Sequence, residues 1–197
     1  MAVYSMEGTQ KDCYPDTTVL INKLGIKDQK MLNVAEIRIV ISMTAKIENE
    51  ISFENVDFDF YKSLHHQLFS DLYEWAGKIR SINISKKGTV FCKSDDIERI
   101  GILKFKRLEK LNFLKNLNKE DFVEELTELY NDLNMLHPFR EGNGRTLRLF
   151  VTLLVRNAGY NISFAECDSD FLMIATIKAA QGDTNLLREV FSEIVTS

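Results

Sequence analysis

The chain has little proline, cysteine or histidine, no long apolar run and no excess of positive charge, and each shortage closes off a class of function. Its 197 residues include two prolines, three cysteines and three histidines. Cys13, Cys92 and Cys167 are odd in number and far apart, which suits reduced thiols rather than a disulfide framework. No CxxC pair exists, so a zinc site has no support. The adjacent pair His65 and His66 lies in an apparent helix, where neighbours diverge by about 100° and cannot share one metal; His137 is left as the histidine in an unusual setting. No segment approaches the ~20 apolar residues of a membrane span. Residues 1–10 lack the basic start and apolar stretch of a secretory signal, so a cytoplasmic location is expected; delivery into another cell stays open. With 29 acidic against 25 basic residues the net charge is −4, which offers no general grip on nucleic acid or anionic lipid. Any anion site must be local.

What is present is helical periodicity. The length fits one domain. Asp28 caps an expected helix to about Ile47, apolar enough to be largely buried. From Asp57 to Trp75, Leu64, Leu68 and Leu72 recur every fourth residue. A third helix is expected from Asp96 through Leu111 and Leu114, and a fourth from its cap at Asn118 through Phe122, Leu126, Leu129, Leu133 and Leu136. Arg145 to Asn157 reads as a buried central helix closed by Gly159. Two more follow Asp168 and Asp183. Ser81 to Cys92 is the exception: Ile82 and Ile84 alternate with polar residues, Lys86-Lys87-Gly88 forms a turn, and Thr89, Val90 and Phe91 favour a strand, so a β-hairpin is expected. The fold class is therefore all-α, a helical bundle with one small hairpin. Within that single domain, residues 1–56 form an N-terminal extension and helix, 57–158 the core, and 159–197 the closing helices.

The chemistry concentrates in His137-Pro138-Phe139-Arg140-Glu141-Gly142-Asn143-Gly144-Arg145-Thr146-Leu147-Arg148. Pro138 disfavours helical dihedrals at His137, so the fourth helix should stop there and deliver an imidazole to an edge that ligands reach. Gly142, Asn143 and Gly144 tolerate positive φ, and their amides can curl into an anion-binding nest ahead of the next helix. Arg145 and Arg148 project from one side of that helix, where the dipole disfavours cations unless a bound anion compensates. Glu141 is a carboxylate beside phosphate-binding groups; Mg²⁺ held by one carboxylate and phosphate oxygens would reconcile the two. A base, a metal ligand and an anion cradle are what phosphoryl or nucleotidyl transfer requires.

HPFREGNGRTLR resembles the Fic signature H-x-F-x-D/E-G-N-G-R-x-x-R at every fixed position, and the likeness extends upstream through Leu72-Tyr73-Glu74-Trp75-Ala76-Gly77-Lys78-Ile79-Arg80. The resemblance implies a Fic-type bundle and a protein adenylyltransferase. In it His137 deprotonates a Ser, Thr or Tyr hydroxyl of a target protein, the hydroxyl attacks the α-phosphate of ATP, and pyrophosphate leaves. It implies Mg²⁺ on Glu141, phosphates on Gly142, Asn143 and Gly144, Arg145 near the β-phosphate, Arg148 near the γ-phosphate, and Phe139 as a core anchor. The hairpin becomes a flap, with Lys86, Lys87, Gly88 and Thr89 at its tip, that pairs main chain with the target. Auto-adenylylation is expected as well. Thr44-Ala45-Lys46-Ile47-Glu48-Asn49 fits the S/T-x-x-x-E-G/N pattern of an inhibitory helix, in which Thr44, Glu48 and Asn49 are the constrained positions and Glu48 would pair with Arg148; otherwise a small antitoxin-like inhibitor or self-association supplies restraint. No nucleic-acid or membrane partner is expected. Removal of AMP, transfer of another phosphate-containing group, and a nucleotide-binding regulator without catalysis remain open as alternatives.

Overall fold

The computed structural model describes residues 4, 5, 12–86 and 88–196. Seven helices appear among them: α1 Gln29–Glu50, α2 Phe58–Phe69, α3 Ile97–Lys110, α4 Lys119–Leu136, α5 Asn143–Asn157, α6 Ser169–Ala180 and α7 Asn185–Ile194. The expected caps form. Asp28 accepts from the Met31 amide, Asp57 from Phe60, Asn118 from Asp121 and Asp168 from Phe171, each satisfying an amide that a helix start leaves without a carbonyl.

The hydrophobic centre is α5, which packs against α1, α2 and α4. Phe150, Val151, Leu154 and Val155 are fully buried, with Tyr61, Phe105 and Phe53 around Phe150. On the far side α7 closes onto α4 and α6 through Leu187, Val190 and Phe191.

The bundle departs from the sequence expectation in four places. Of α1 only Leu32, Val40 and Ile47 are buried, whereas Met31, Val34, Ile37 and Ile41 are more than half exposed, so the helix is a half-covered outer element and not a largely buried one. The second helix stops at Phe69 instead of Trp75. Residues 70–77 fold back beneath it because the His66 ring bonds the Ala76 carbonyl and the Gly77 amide donates to His65 Nδ1, at 3.0 and 2.8 Å. Gly77 takes φ 79°, and a Cβ there would meet His66 Cβ at 2.8 Å. The third helix ends at Lys110, and Asn112, Phe113 and Leu114 turn left-handed, which drives Leu114 to 1% exposure; burial outweighed helical periodicity. Finally, an additional short antiparallel pair joins β4 Asn161–Ile162 to β5 Val195–Thr196.

The expected hairpin is present with short strands, β2 Ser85–Lys86 and β3 Thr89–Val90. Lys86 pairs with Thr89 across the turn; Lys87 lies outside the described residues. A third strand joins them. β1, Tyr4–Ser5, pairs antiparallel with β2 and gives the order β1-β2-β3.

Candidate active site

Helix α4 ends at Leu136, two residues before Pro138, and His137 is its C-cap with φ 43° and ψ 58°. That left-handed backbone is unusual for a side chain with a Cβ. It is held from several directions. The His137 amide donates to Leu133, and its carbonyl accepts from Arg80 Nε at 2.8 Å. Arg80, 5% exposed, also donates to the carbonyls of Ile82 and Cys92 at 2.6 Å each, and its own amide reaches the Pro138 carbonyl. One guanidinium thus ties both legs of the hairpin to the end of α4.

His137 Nδ1 lies 3.0 Å from the Asn134 carbonyl. A carbonyl only accepts, so Nδ1 carries the proton and Nε2 is the nitrogen with the lone pair. The ring is 6% exposed and stacks on Phe91 at 3.8 Å and 17°, more enclosed than the expected helix-edge position. It lines a small cavity of about 80 Å³ with Lys86, Thr89, Asn134, Met173, Thr176 and the Phe91 ring.

The loop after His137 is pinned to α2. Phe139 is fully buried and stacks on His65 at 3.8 Å. His65 accepts at Nδ1 from Gly77, so its Nε2 carries the proton and donates to the Glu141 carbonyl at 3.0 Å. Asn143 closes the loop: its side chain accepts from the Phe139 amide and donates to the Phe139 carbonyl, both at 2.8 Å. Its main-chain N–H, the group expected to serve the cradle, is not used by these two bonds. Arg140, to which the sequence assigned nothing, is 7% exposed and bonds Asp12 at 2.9 Å.

Gly142 caps α5 with φ 81°, and a Cβ there would sit 2.5 Å from the Phe69 ring. Its amide donates to Glu141 Oε1 at 3.0 Å, and the amides of Asn143 and Gly144 that follow open α5. The first N–H groups of a helix have no carbonyl one turn earlier, and with the helix dipole they suit an anion. Both arginines gather there. Arg148 Nη1 would lie 3.4 Å from a Cβ on Gly144, and its charge acts on the buried Tyr130 hydroxyl. Arg145 lies 4.8 Å over the Phe69 ring and pairs with Glu36 of α1. Glu36 also accepts from the Tyr73 hydroxyl at 2.5 Å. Arg145 stands 3.7 Å from Glu141 Oε1. Both contacts to Glu141 fall on Oε1; Oε2 makes no hydrogen bond or ion pair with a described residue. A carboxylate oxygen so disposed beside a phosphate site fits one protein ligand to a divalent cation. No cluster of three or more His, Cys, Asp or Glu residues exists among the described residues to hold a metal by protein groups alone.

A second cavity, of about 350 Å³, gathers Arg145, Arg148, Thr152 and Arg156 of α5 with Val40, Thr44 and Glu48 of α1. Thr44 and Glu48 therefore face the two motif arginines. The Glu48 carboxylate, however, pairs with Arg156 at 2.8 Å in place of the expected Arg148, and the Asn49 side chain bonds back to the Ala45 carbonyl.

Burial holds the His65 and His137 imidazoles far below the usual histidine range, at about 3 for each; nearby Arg145 adds to the shift at His65, and Lys86 and Arg80 add to it at His137. The unfolded chain binds a proton at each near pH 6.5 and the folded chain does not, so stability is intact above that pH and falls as the solution is acidified. The slope is up to about 1.4 kcal/mol per pH unit for each ring. Thermal midpoints measured from pH 7 to 5 are expected to fall progressively below 6.5; a flat midpoint across that window would contradict neutral burial of the two rings.

Residues 55–155 match the Fic/DOC family model. The chain is 34% identical over 182 residues to the protein adenylyltransferase VbhT of Bartonella schoenbuchensis, covering 92% of this chain and 38% of that protein. It therefore spans well under half of that relative. It is 32% identical over 190 residues to the probable protein adenylyltransferase Fic of Escherichia coli K12, covering 96% and 94%. Among solved structures, the BepC effector of Bartonella tribocorum with bound AMPPNP superposes with a TM-score of 0.89 at 28% identity, covering 96% of this chain and 98% of that one.

Proposed function

Because the chain belongs to the Fic/DOC family, we propose that it is a protein adenylyltransferase, which moves AMP from ATP to a Ser, Thr or Tyr hydroxyl of a target protein and releases pyrophosphate. The observation that carries the reading is the fixed tautomer of His137. With Nδ1 committed to the Asn134 carbonyl, Nε2 is the atom able to take a proton from an incoming hydroxyl.

The other residues divide the work around that base. The opening amides of α5, from Asn143 and Gly144 onward, with Arg145 and Arg148, receive the triphosphate and offset the charge that develops on the departing pyrophosphate. Glu141, through Oε2, would hold Mg²⁺ against the phosphates, and the ion when bound supplies charge neutralisation there. Glu36 and Phe69 keep Arg145 extended over the loop. Arg80 and Phe91 hold the His137 ring and main chain, so that its position does not depend on the loop alone. The flap tip, Lys86, Lys87, Gly88 and Thr89, presents the target hydroxyl beside the base; Lys86 and Thr89 already share the His137 cavity. The chain incubated with ATP and host lysate should leave adenylyl groups on protein hydroxyls by mass spectrometry; phosphate alone on those hydroxyls would overturn the assignment.

Restraint of the activity by Thr44, Glu48 and Asn49 is part of the proposal. Glu48 and Arg148 line one cavity, which supports a change of the Glu48 partner from Arg156 to Arg148. Glu48→Gly is expected to raise auto-modification several-fold, and unchanged labelling would remove the motif from the account. A small antitoxin-like partner or self-association is a further means of restraint, supported by the exposed Met31, Val34, Ile37 and Ile41 row on α1. Work in the cytoplasm accords with three cysteines that form no disulfide. Among the described residues no helix is long and apolar enough to cross a membrane.

A further inference from the structure

The cavity at His137 is bounded by a third element besides the hairpin and the end of α4. Lys86, Thr89 and Phe91 come from the hairpin, Asn134 and His137 from the end of α4, and Met173, Thr176 and Ile177 from α6. Positions three and four apart share one face of a helix, so the three α6 residues stand together. The neighbouring face, Leu172, Ala175 and Ala179, is buried in the bundle. Asn131 of α4 donates to the Ala179 carbonyl at 3.3 Å, and three residues further along α4 the Asn134 carbonyl accepts from His137 Nδ1. One helix thus fixes both the base and the α6 wall. That wall is apolar. Methionine and isoleucine side chains carry no hydrogen-bond donor, and the Thr176 hydroxyl donates to the Met173 carbonyl at 2.8 Å. The polar groups of the cavity come from the hairpin and the end of α4.

We propose that Met173 and Ile177 select the acceptor of AMP: they form the apolar wall on which the carbon stem of the target side chain packs while its hydroxyl meets His137. The inference rests on the adenylyltransferase reading of the site and adds a surface that the flap does not supply. Main-chain pairing at a sheet edge gives affinity, whereas pockets for side chains give specificity. An acceptor side chain is amphipathic: its oxygen needs a proton acceptor, and its carbons need an apolar neighbour. The base meets the first need, and α6 with the Phe91 ring meets the second. Space is short as well. A cavity that holds benzene measures about 150 Å³, and this one is about 80 Å³, so each methyl group on the α6 wall alters what fits. One methylene in an apolar pocket changes selection by about 10- to 200-fold.

The test uses the full chain with α-labelled ATP and host lysate, maps the modified sites by mass spectrometry, and measures binding of a non-hydrolysable ATP analogue by calorimetry. Met173→Ala widens the cavity and is expected to label hydroxyls that wild type leaves unmodified. Ile177→Phe narrows it and should lose about ten-fold or more of the wild-type labelling, whereas Ile177→Val keeps the wall and should stay within a few-fold. Ile174→Ala, on the exposed face of the same helix, should label as wild type. Analogue affinity should be unchanged in all four, because the proposed phosphate contacts come from α5. Should Ile177→Phe alone lose the fold, the site map of Met173→Ala decides. Wild-type sites and rates in Met173→Ala, or a parallel loss of analogue affinity and labelling in it, overturn the inference and leave the function standing. Absence of AMP transfer by the wild-type chain overturns the function and the inference together.

Discussion

His137→Ala is expected to abolish AMP transfer, by about 10²- to 10⁴-fold, the range for loss of a positioned general base, while ATP or a non-hydrolysable analogue binds within a few-fold of wild type. The two effects separate because the proposed phosphate contacts come from α5, and the base comes from the end of α4. The alanine also vacates a buried site against Phe91, so thermal stability should fall. His137→Asn guards against misreading that fall as loss of chemistry. Its amide can still donate to the Asn134 carbonyl and fill much of the space, yet it cannot accept a proton at neutral pH. Equal loss of transfer in both variants, with analogue binding retained by calorimetry, assigns the defect to proton transfer; survival of transfer in either would remove His137 from that role.

The second large effect is expected at a side chain that touches no phosphate in this account. Asn143 holds both polar groups of the Phe139 peptide at 2.8 Å and is 5% exposed. Asn143→Ala leaves a buried N–H and a buried carbonyl without their partner, a loss of about 3 kcal/mol or more. For a chain of this size that is roughly 6–12 °C in melting temperature. Transfer should fall with it, since the same loop sets the direction of His137 and the start of α5. Asn143→Asp restores the acceptor for the Phe139 amide but not the donor for its carbonyl, so it should recover only part of the stability. A melting temperature unchanged in the alanine variant would show that the loop is held by Phe139 and His65 alone.

Much of the molecule is legible in local pattern. Caps at Asp28, Asn118 and Asp168 combine with periodic leucines to mark helices, because both signals are confined to a few neighbouring residues. The motif segment is legible for the same reason: Pro138, the glycines and the paired arginines act within one turn and one loop. What was not legible is the support. Arg145 meets Glu36 from 109 positions away, and Arg140 meets Asp12 from 128. Phe91 is an ordinary strand former until the fold lays it on His137, and Arg80 is an ordinary basic residue until three carbonyls surround it. The exposed apolar row on α1 misled the burial assignment, since hydrophobicity states a preference and not the presence of a neighbour to satisfy it. Likewise Leu111 and Leu114 keep helical spacing in sequence, but the chain reverses at Asn112 to bury Leu114.

Asn143 shows how a residue type can be informative and its role still hidden. An Asn between two glycines beside a helix start suggests an anion nest, and that nest needs only backbone. The side chain was available for another task, the closure of the loop onto Phe139. The glycines on either side serve distinct ends: Gly142 gives the Phe69 ring room and takes a left-handed turn, and Gly144 lies beneath the Arg148 guanidinium.

Incubation of the purified chain with ATP labelled in parallel at the α- or the γ-phosphate, in the presence of host proteins, bears most directly on the transfer of AMP. Protein-bound label from the α position alone, with labelled pyrophosphate released from the γ-labelled nucleotide, is the predicted result. Protein-bound label from the γ position would mean phosphate transfer and would contradict the account.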